Sequence, residues 1–155
     1  MTTWTSGRTR APSFSAPATN GKTIGLDDYR GRHLVLYFYP ASFTNGCTRE
    51  TVRFRDAAAE LAELGADIVG VSPDPLETQC KFASHYQTTF PILADTDRAV
   101  ASAFHALYPL ISRVKRMTFV IDPEGNIAAR FHHEVLFEKH IDDVLAYLKS
   151  AQSKI

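Results

Sequence analysis

Apolar positions change their spacing several times along the chain, and each change marks an element. His33-Leu34-Val35-Leu36-Tyr37-Phe38-Tyr39 is an unbroken run with Val and aromatics. That is the pattern of a central strand buried on both faces. Pro40 stops it, and a loop then leads into a helix running to about Leu64. Phe54, Ala57, Ala58, Leu61 and Leu64 share one face of this helix, and Gly65 ends it. Residues 67–71 read as the next strand. Asp74-Pro75-Leu76-Glu77 then opens a second helix as a capping box, with Asp74 as N-cap and Pro75 at N1, continuing to about Tyr86. A short strand over 90–94, a short helix over 97–104 and a loop over 105–115 follow. Residues 117–121 and 127–132 pair as a hairpin around Asp122-Pro123-Glu124-Gly125-Asn126. A closing helix over 137–151 carries Ile141, Val144, Leu145 and Leu148 at helical spacing. Ahead of the central strand, residues 14–16 and 23–25 suggest short strands around Asn20-Gly21, and 26–29 a single helical turn. The order predicts an α/β fold: a mixed central sheet flanked by helices on both faces.

Composition narrows the possibilities. The chain has 155 residues, 45% hydrophobic and 22% charged, with 17 basic against 17 acidic side chains. That fits one globular domain over 13–152, preceded by a loose, flexible arm over 1–12. Zero net charge argues against a broad footprint for nucleic acid or an anionic membrane. The longest strongly apolar run, 34–39, is far short of the ~18 residues of a membrane span. The polar N-terminus lacks the apolar core of a secretory signal, so the cytoplasm is the expected location. Two cysteines, Cys47 and Cys80, are too few for a disulfide framework. With no C-x-x-C and no Cys near a His at ligand spacing, neither metal nor cofactor is expected. His132 and His133 read as a solvated pair on opposite faces of a strand.

Cys47 is the residue with chemistry to explain. It falls just past the end of a buried strand, in the first turn of a helix, at the edge of an α/β sheet where sites form. Unpaired N–H groups and the partial positive charge of the helix N-terminus favour thiolate over thiol, and the thiolate is the nucleophile. On placement alone, a buried small hydrophobe is the competing reading.

The surrounding loop carries more. Pro40-x-x-x-Thr44-x-x-Cys47 resembles the active-site signature of peroxiredoxins. Tyr37-Phe38-Tyr39-Pro40 and Phe43-Thr44-Asn45-Gly46-Cys47-Thr48-Arg49-Glu50 are similar to the PrxQ, or bacterioferritin comigratory protein, branch. Ala11-Pro12-x-Phe14, Gly70-Val71-Ser72-Pro73-Asp74, Lys81-Phe82-Ala83 and Arg116-x-Thr118-Phe119-Val120-Ile121-Asp122 match in order. The resemblance spans about Ala11 to Leu148. It implies a thioredoxin-like fold and a thiol peroxidase acting on hydrogen peroxide and organic hydroperoxides. Cys47 would be the peroxidatic cysteine, passing through sulfenic acid. Pro40 would shield the pocket, Thr44 would hydrogen-bond the peroxide, and Arg116 would contact thiolate and peroxide. Glu50 would orient Arg116 through a bidentate pair. Each role also has a plainer reading: Pro40 as strand terminator, Thr44 as N-cap, Arg116 as a solvated charge, Glu50 as a first-turn acid.

The match has departures. Asn45 stands where many of these proteins have Pro, and 107–115 fits the branch poorly. Val52 occupies the place of the common second cysteine, five residues after the first. Cys80 is then the expected resolving cysteine, with thioredoxin or a similar thiol as reductant. It shares a stripe with Leu76 and Ala83 expected to face the sheet, so core packing is the alternative, which would leave a one-cysteine peroxidase using an external thiol. A monomer is expected, as is common in the branch. Two other classes remain. Cys47-x5-Arg53 has the spacing of a cysteine phosphatase loop but lacks its glycines, and a non-catalytic binding module of the same fold is the more serious rival.

Overall fold

The computed structural model describes residues 2–42, 44–134 and 139–152. Thirteen elements follow one another: β1 (Thr2–Arg10), β2 (Ser15–Pro17), β3 (Thr23–Gly25), a 3-10 turn (Leu26–Tyr29), β4 (His33–Phe38), α1 (Asn45–Glu63), β5 (Ala66–Ser72), α2 (Leu76–Tyr86), β6 (Ile92–Ala94), α3 (Ala99–Ala103), β7 (Met117–Ile121), β8 (Asn126–His132) and α4 (Lys139–Gln152). From β4 onward the order is the expected one. The expected start of the closing helix at 137–138 lies outside the described residues.

Six strands form one mixed sheet in the order β1-β8-β7-β4-β5-β6. β4, β5 and β6 are parallel, joined by helical crossovers, whereas β7 runs antiparallel to β4. β2 and β3 form a separate hairpin whose turn places Gly21 at φ +81, a left-handed conformation that glycine adopts without steric cost. An isolated bridge from Ala18 to Leu93 ties that hairpin to the edge strand β6.

β4 divides the interior. Leu34, Leu36 and Phe38 point into one core with Phe14, Val100, Phe104 and Phe119. Val35, Tyr37 and Tyr39 point into the other, where α1, α2 and α4 contribute Phe54, Leu61, Phe82, Ile141 and Val144. The strand is thus buried on both faces, as its unbroken apolar run predicted.

Two expectations are corrected. The arm over 1–12 is not loose along its length, because Thr2–Arg10 forms β1, antiparallel to β8, with a register shift between Trp4 and Thr9. α2 begins one residue later than the capping box implied, with Pro75 as N-cap. The Asp74 carboxylate is engaged elsewhere, accepting the Ser42 N–H and the Ser72 hydroxyl. Among the described residues, no helix is long and apolar enough to cross a membrane.

Candidate active site

The β4–β7 register builds the site. Phe38 pairs with Met117, so Arg116, one residue before β7, arrives at the carboxyl end of β4. The same end of β4 feeds the loop that starts α1. Thr118 pairs with Tyr37, and directly opposed residues share a face of the sheet. Arg116, Thr118 and Val120 therefore alternate onto the α1 and α4 side, where Cys47 waits.

Thr44 is the N-cap of α1, with extended backbone, but its side chain makes no cap hydrogen bond. Its hydroxyl donates instead to the Ala41 carbonyl at 2.7 Å. The first helical bond runs from Thr48 N–H to Thr44 O at 2.9 Å, so Cys47 lies among the first-turn residues whose N–H groups have no intrahelical acceptor. Cys47 is fully buried, and Arg116 Nη1 donates to its Sγ at 2.9 Å. A guanidinium has only donors and keeps its charge, so the sulfur is the acceptor in this contact.

Polar side chains from β4, the loop after it and α2 join to fix the loop. Tyr39 donates to Gln79 Oε1 at 3.0 Å, and the Ser42 hydroxyl reaches the same oxygen at 2.7 Å. Gln79 in turn donates to the Ser72 carbonyl at 3.2 Å. Glu134 ties down the other side. One of its oxygens accepts from Tyr108 at 2.8 Å and from the Arg116 backbone N–H at 3.0 Å, and lies 2.7 Å from His132 Nε2. Partial burial pushes its carboxyl up, but these three contacts together hold it below the usual range. Sequence reasoning missed Gln79 and Glu134. Gln79 left one signal: a polar residue three positions before Phe82, on the buried side of α2.

Glu50 differs from expectation. It is fully buried, yet neither carboxylate oxygen has a hydrogen-bond partner, so the bidentate pair with Arg116 is absent. Burial pushes its carboxyl well above the ordinary value, against the opposing pull of the Arg116 charge. The histidines differ too. The expected solvated pair is split: His133 is buried against Asp143 at 2.6 Å, while His132 keeps part of its ring in solvent.

Residues 8–130 match the AhpC/TSA family. The chain belongs to that family, the peroxiredoxins. It is 36% identical over 152 residues to peroxiredoxin Bcp of Bacillus subtilis, covering 94% of this chain and 96% of that one. Against the chloroplastic peroxiredoxin Q of Populus jackii the identity is 34% over 140 residues, covering 90% and 66%. The solved peroxidoxin BcpB of Mycobacterium tuberculosis superposes with a TM-score of 0.86 at 36% identity, covering 92% and 96%. The fold is therefore thioredoxin-like, and the peroxiredoxin is a thiol-dependent peroxidase, consuming hydroperoxides at the expense of a thiol reductant. A non-catalytic binding module and a phosphatase drop away. Arg53, which the phosphatase reading required, points from α1 to Asp142 at 3.7 Å.

The sequence-predicted residues separate into two places. Cys47, Thr44 and Arg116 meet at the start of α1, with half-buried Pro40 just after β4. Cys80 is on the outer side of α2, exposed, while Gln79 and Phe82 face inward. The expected Cys80–Leu76–Ala83 stripe toward the sheet is thereby corrected at two of its three positions: Cys80 is exposed and Leu76 is 36% exposed, while Ala83 packs against the core. Cys80 borders a cavity of about 380 Å³ lined also by Asn20, Ala83, Thr88 and Pro91.

Proposed function

We propose that Cys47 is the peroxidatic nucleophile and that Arg116, Thr44 and Pro40 form its pocket. The observation that carries this reading is the 2.9 Å contact between the guanidinium and the sulfur at a helix N-terminus. The Cys47 thiolate attacks one oxygen of the hydroperoxide. An S–O bond forms, the O–O bond breaks, and the departing alkoxide or hydroxide takes up a proton as alcohol or water. Sulfur is oxidised to sulfenic acid. Charge builds on the leaving oxygen, where the guanidinium and the first-turn N–H groups stabilise it. Because the Thr44 hydroxyl spends its proton on Ala41, its lone pairs are left to accept the hydroperoxide O–H.

Cys80 resolves the sulfenic acid. Its thiolate attacks the Cys47 sulfur, the disulfide forms, and water leaves. A thioredoxin-type dithiol then returns both cysteines to thiols. Exposure of Cys80 supports this, since a core-packing residue would be buried. A disulfide needs Cα atoms about 4.4–6.8 Å apart, so one buried and one exposed cysteine on separate helices require local opening. The first turn of α1 is the place, because Asn45 and Gly46 are weak helix formers at a fraying end. A reducing compartment such as the cytoplasm suits this cycle, and a monomer completes it without a partner cysteine.

Peptide mapping after one equivalent of peroxide, without reductant, tests the cycle. A Cys47–Cys80 intramolecular link is the expected product. Accumulated sulfenic acid on Cys47, with Cys80→Ser turning over as fast as the unaltered chain under thioredoxin, would leave a one-cysteine enzyme.

A further inference from the structure

Glu50 is the least explained group in the molecule. It is buried at 0% exposure, both oxygens lack a hydrogen bond, and the enzyme tolerates it three residues from Cys47 on α1. Residues three apart on a helix share a face. His140 on α4 also has 0% exposure, and its Nε2 stands 3.4 Å from Glu50 Oε2. We propose that Glu50 and Cys47 take turns as the single anion facing Arg116, and that His140 is the positioning residue that holds Glu50 for this exchange. The proposal rests on Cys47 being the nucleophile.

His140 is fixed at both nitrogens. Nε2 lies 3.0 Å from the His133 carbonyl, which can only accept, so Nε2 carries the hydrogen. Nδ1 then accepts the Thr118 hydroxyl at 2.8 Å. The ring is thus a neutral imidazole with its N–H directed between the His133 carbonyl and Glu50. Burial is the first cause that lowers its pKa, to about 4, so it supplies a dipole to Glu50 and no full charge.

Among the described residues, Arg116 is the cation whose charge acts on Glu50. From β4, Tyr37 and Tyr39 are held neutral, chiefly by burial. From the segment after β8 come His133 and Glu134, with His132 just before them. From α4 comes Asp143, already joined to His133 at 2.6 Å. Glu134 adds negative charge that disfavours a second anion at Glu50. The Arg116 guanidinium touches the Cys47 sulfur, and its charge also pulls on the Glu50 carboxyl buried one helical turn away. A pair of like charges there is penalised, so ionising one keeps the proton on the other.

The proton balance closes over the reaction. In the reduced enzyme the one shared proton rests on Glu50, as Cys47–S⁻ and Glu50–COOH, which leaves Arg116 to the sulfur. Attack turns the thiolate into neutral sulfenic acid and releases an alkoxide or hydroxide. The leaving oxygen gains one proton and Glu50 loses one, so the carboxylate replaces the thiolate as counter-ion of Arg116. Net charge in the site is unchanged from start to finish.

Peroxide-triggered infrared difference spectroscopy at neutral pH reads this directly. On addition of one equivalent of hydrogen peroxide, a protonated-carboxyl C=O band should disappear and carboxylate bands appear. Glu50→Gln should abolish the change. His140→Leu, lacking the N–H, should shrink it by more than half, and His140→Gln, which keeps a donor, should restore most of it. A purely structural His140 would alter stability without moving this band. If Cys47 is oxidised and no carboxyl band is lost, the exchange is overturned. If Cys47 itself is not oxidised, the nucleophile assignment falls first, and the exchange with it.

Discussion

The two faces of β4 are equally buried and chemically unlike. On one, Leu34, Leu36 and Phe38 meet Phe14, Phe104 and Phe119, with little for a polar group to do. On the other, Tyr37 and Tyr39 bring hydroxyls into the core, to Thr51 at 3.0 Å and to Gln79 at 3.0 Å. The same face holds Cys47, Glu50, Thr118 and His140, all at 0% exposure. Buried polar groups cost free energy unless they are partnered, so this face is built largely from pairs, and Glu50, whose oxygens make no hydrogen bond, lies one helical turn along α1 from the reacting sulfur. One side of the sheet supplies stability with non-directional contacts. The other side spends some of that stability on aimed groups.

Substitutions on the two faces should therefore fail differently. Phe104 packs its ring 5.1 Å from Phe119 and 5.6 Å from Phe38. Phe104→Ala should cost about 3–5 kcal/mol in urea unfolding, while peroxide reduction below the transition keeps its rate. Arg116→Ala should do the reverse. Loss of a transition-state charge contact costs on the order of 10²–10³ in rate, or ~2.7–4 kcal/mol, with a smaller loss in unfolding. Stopped-flow oxidation of Cys47 checks this, and an unchanged rate constant would make Arg116 a structural residue.

The polar face should also give the fold its acid sensitivity. Between pH 6.5 and about 4, an unfolded chain binds a proton on His140 that the native protein, with its lowered value, does not. Stability from this group is therefore complete above 6.5 and is lost as pH falls through that window, by on the order of 3 kcal/mol at most. Glu50 has the opposite sign, because its raised value makes the native state hold the proton more tightly as pH falls. Unfolding free energies measured across the window for the unaltered chain and His140→Gln isolate the histidine. The unaltered chain should lose more on acidification, and parallel curves would contradict the assignment.

Gly70 sets how closely β5 approaches Tyr37. A Cβ there would lie 2.9 Å from Cζ and Oη of Tyr37. Gly70→Ala should cost about 1–3 kcal/mol by displacing that ring from Thr51, and an unaltered melting curve would show that the ring has room to give.

Much of this contrast was written in the sequence, and the exceptions have physical causes. β4 and β7 are legible because their apolar runs have no helical alternative. Pro40, Thr44, Cys47 and Arg116 are legible as a motif, although what brings Arg116 to Cys47, 69 residues earlier, is the β4–β7 register. β1 is not legible, because an edge strand of threonines, serine and arginines shows no apolar alternation to read. The orientation of α2 misleads for a related reason. Leu76 and Cys80 look like part of an inward stripe with Ala83, but Gln79 has partners in Tyr39 and Ser72 that turn the neighbouring face inward and leave only Ala83 at the edge of the core. His140 sits in line with Val144 on the buried side of α4, and its partners come from residues 50, 118 and 133. No local pattern announces contacts of that range.

The central claim is that peroxide chemistry starts at the Cys47 sulfur. Peroxide consumption by Cys47→Ser, compared with the unaltered chain under one reductant, tests it most directly. The account predicts that turnover falls to the uncatalysed background while the variant stays folded. A folded Cys47→Ser protein that still reduces peroxide at the original rate would contradict it.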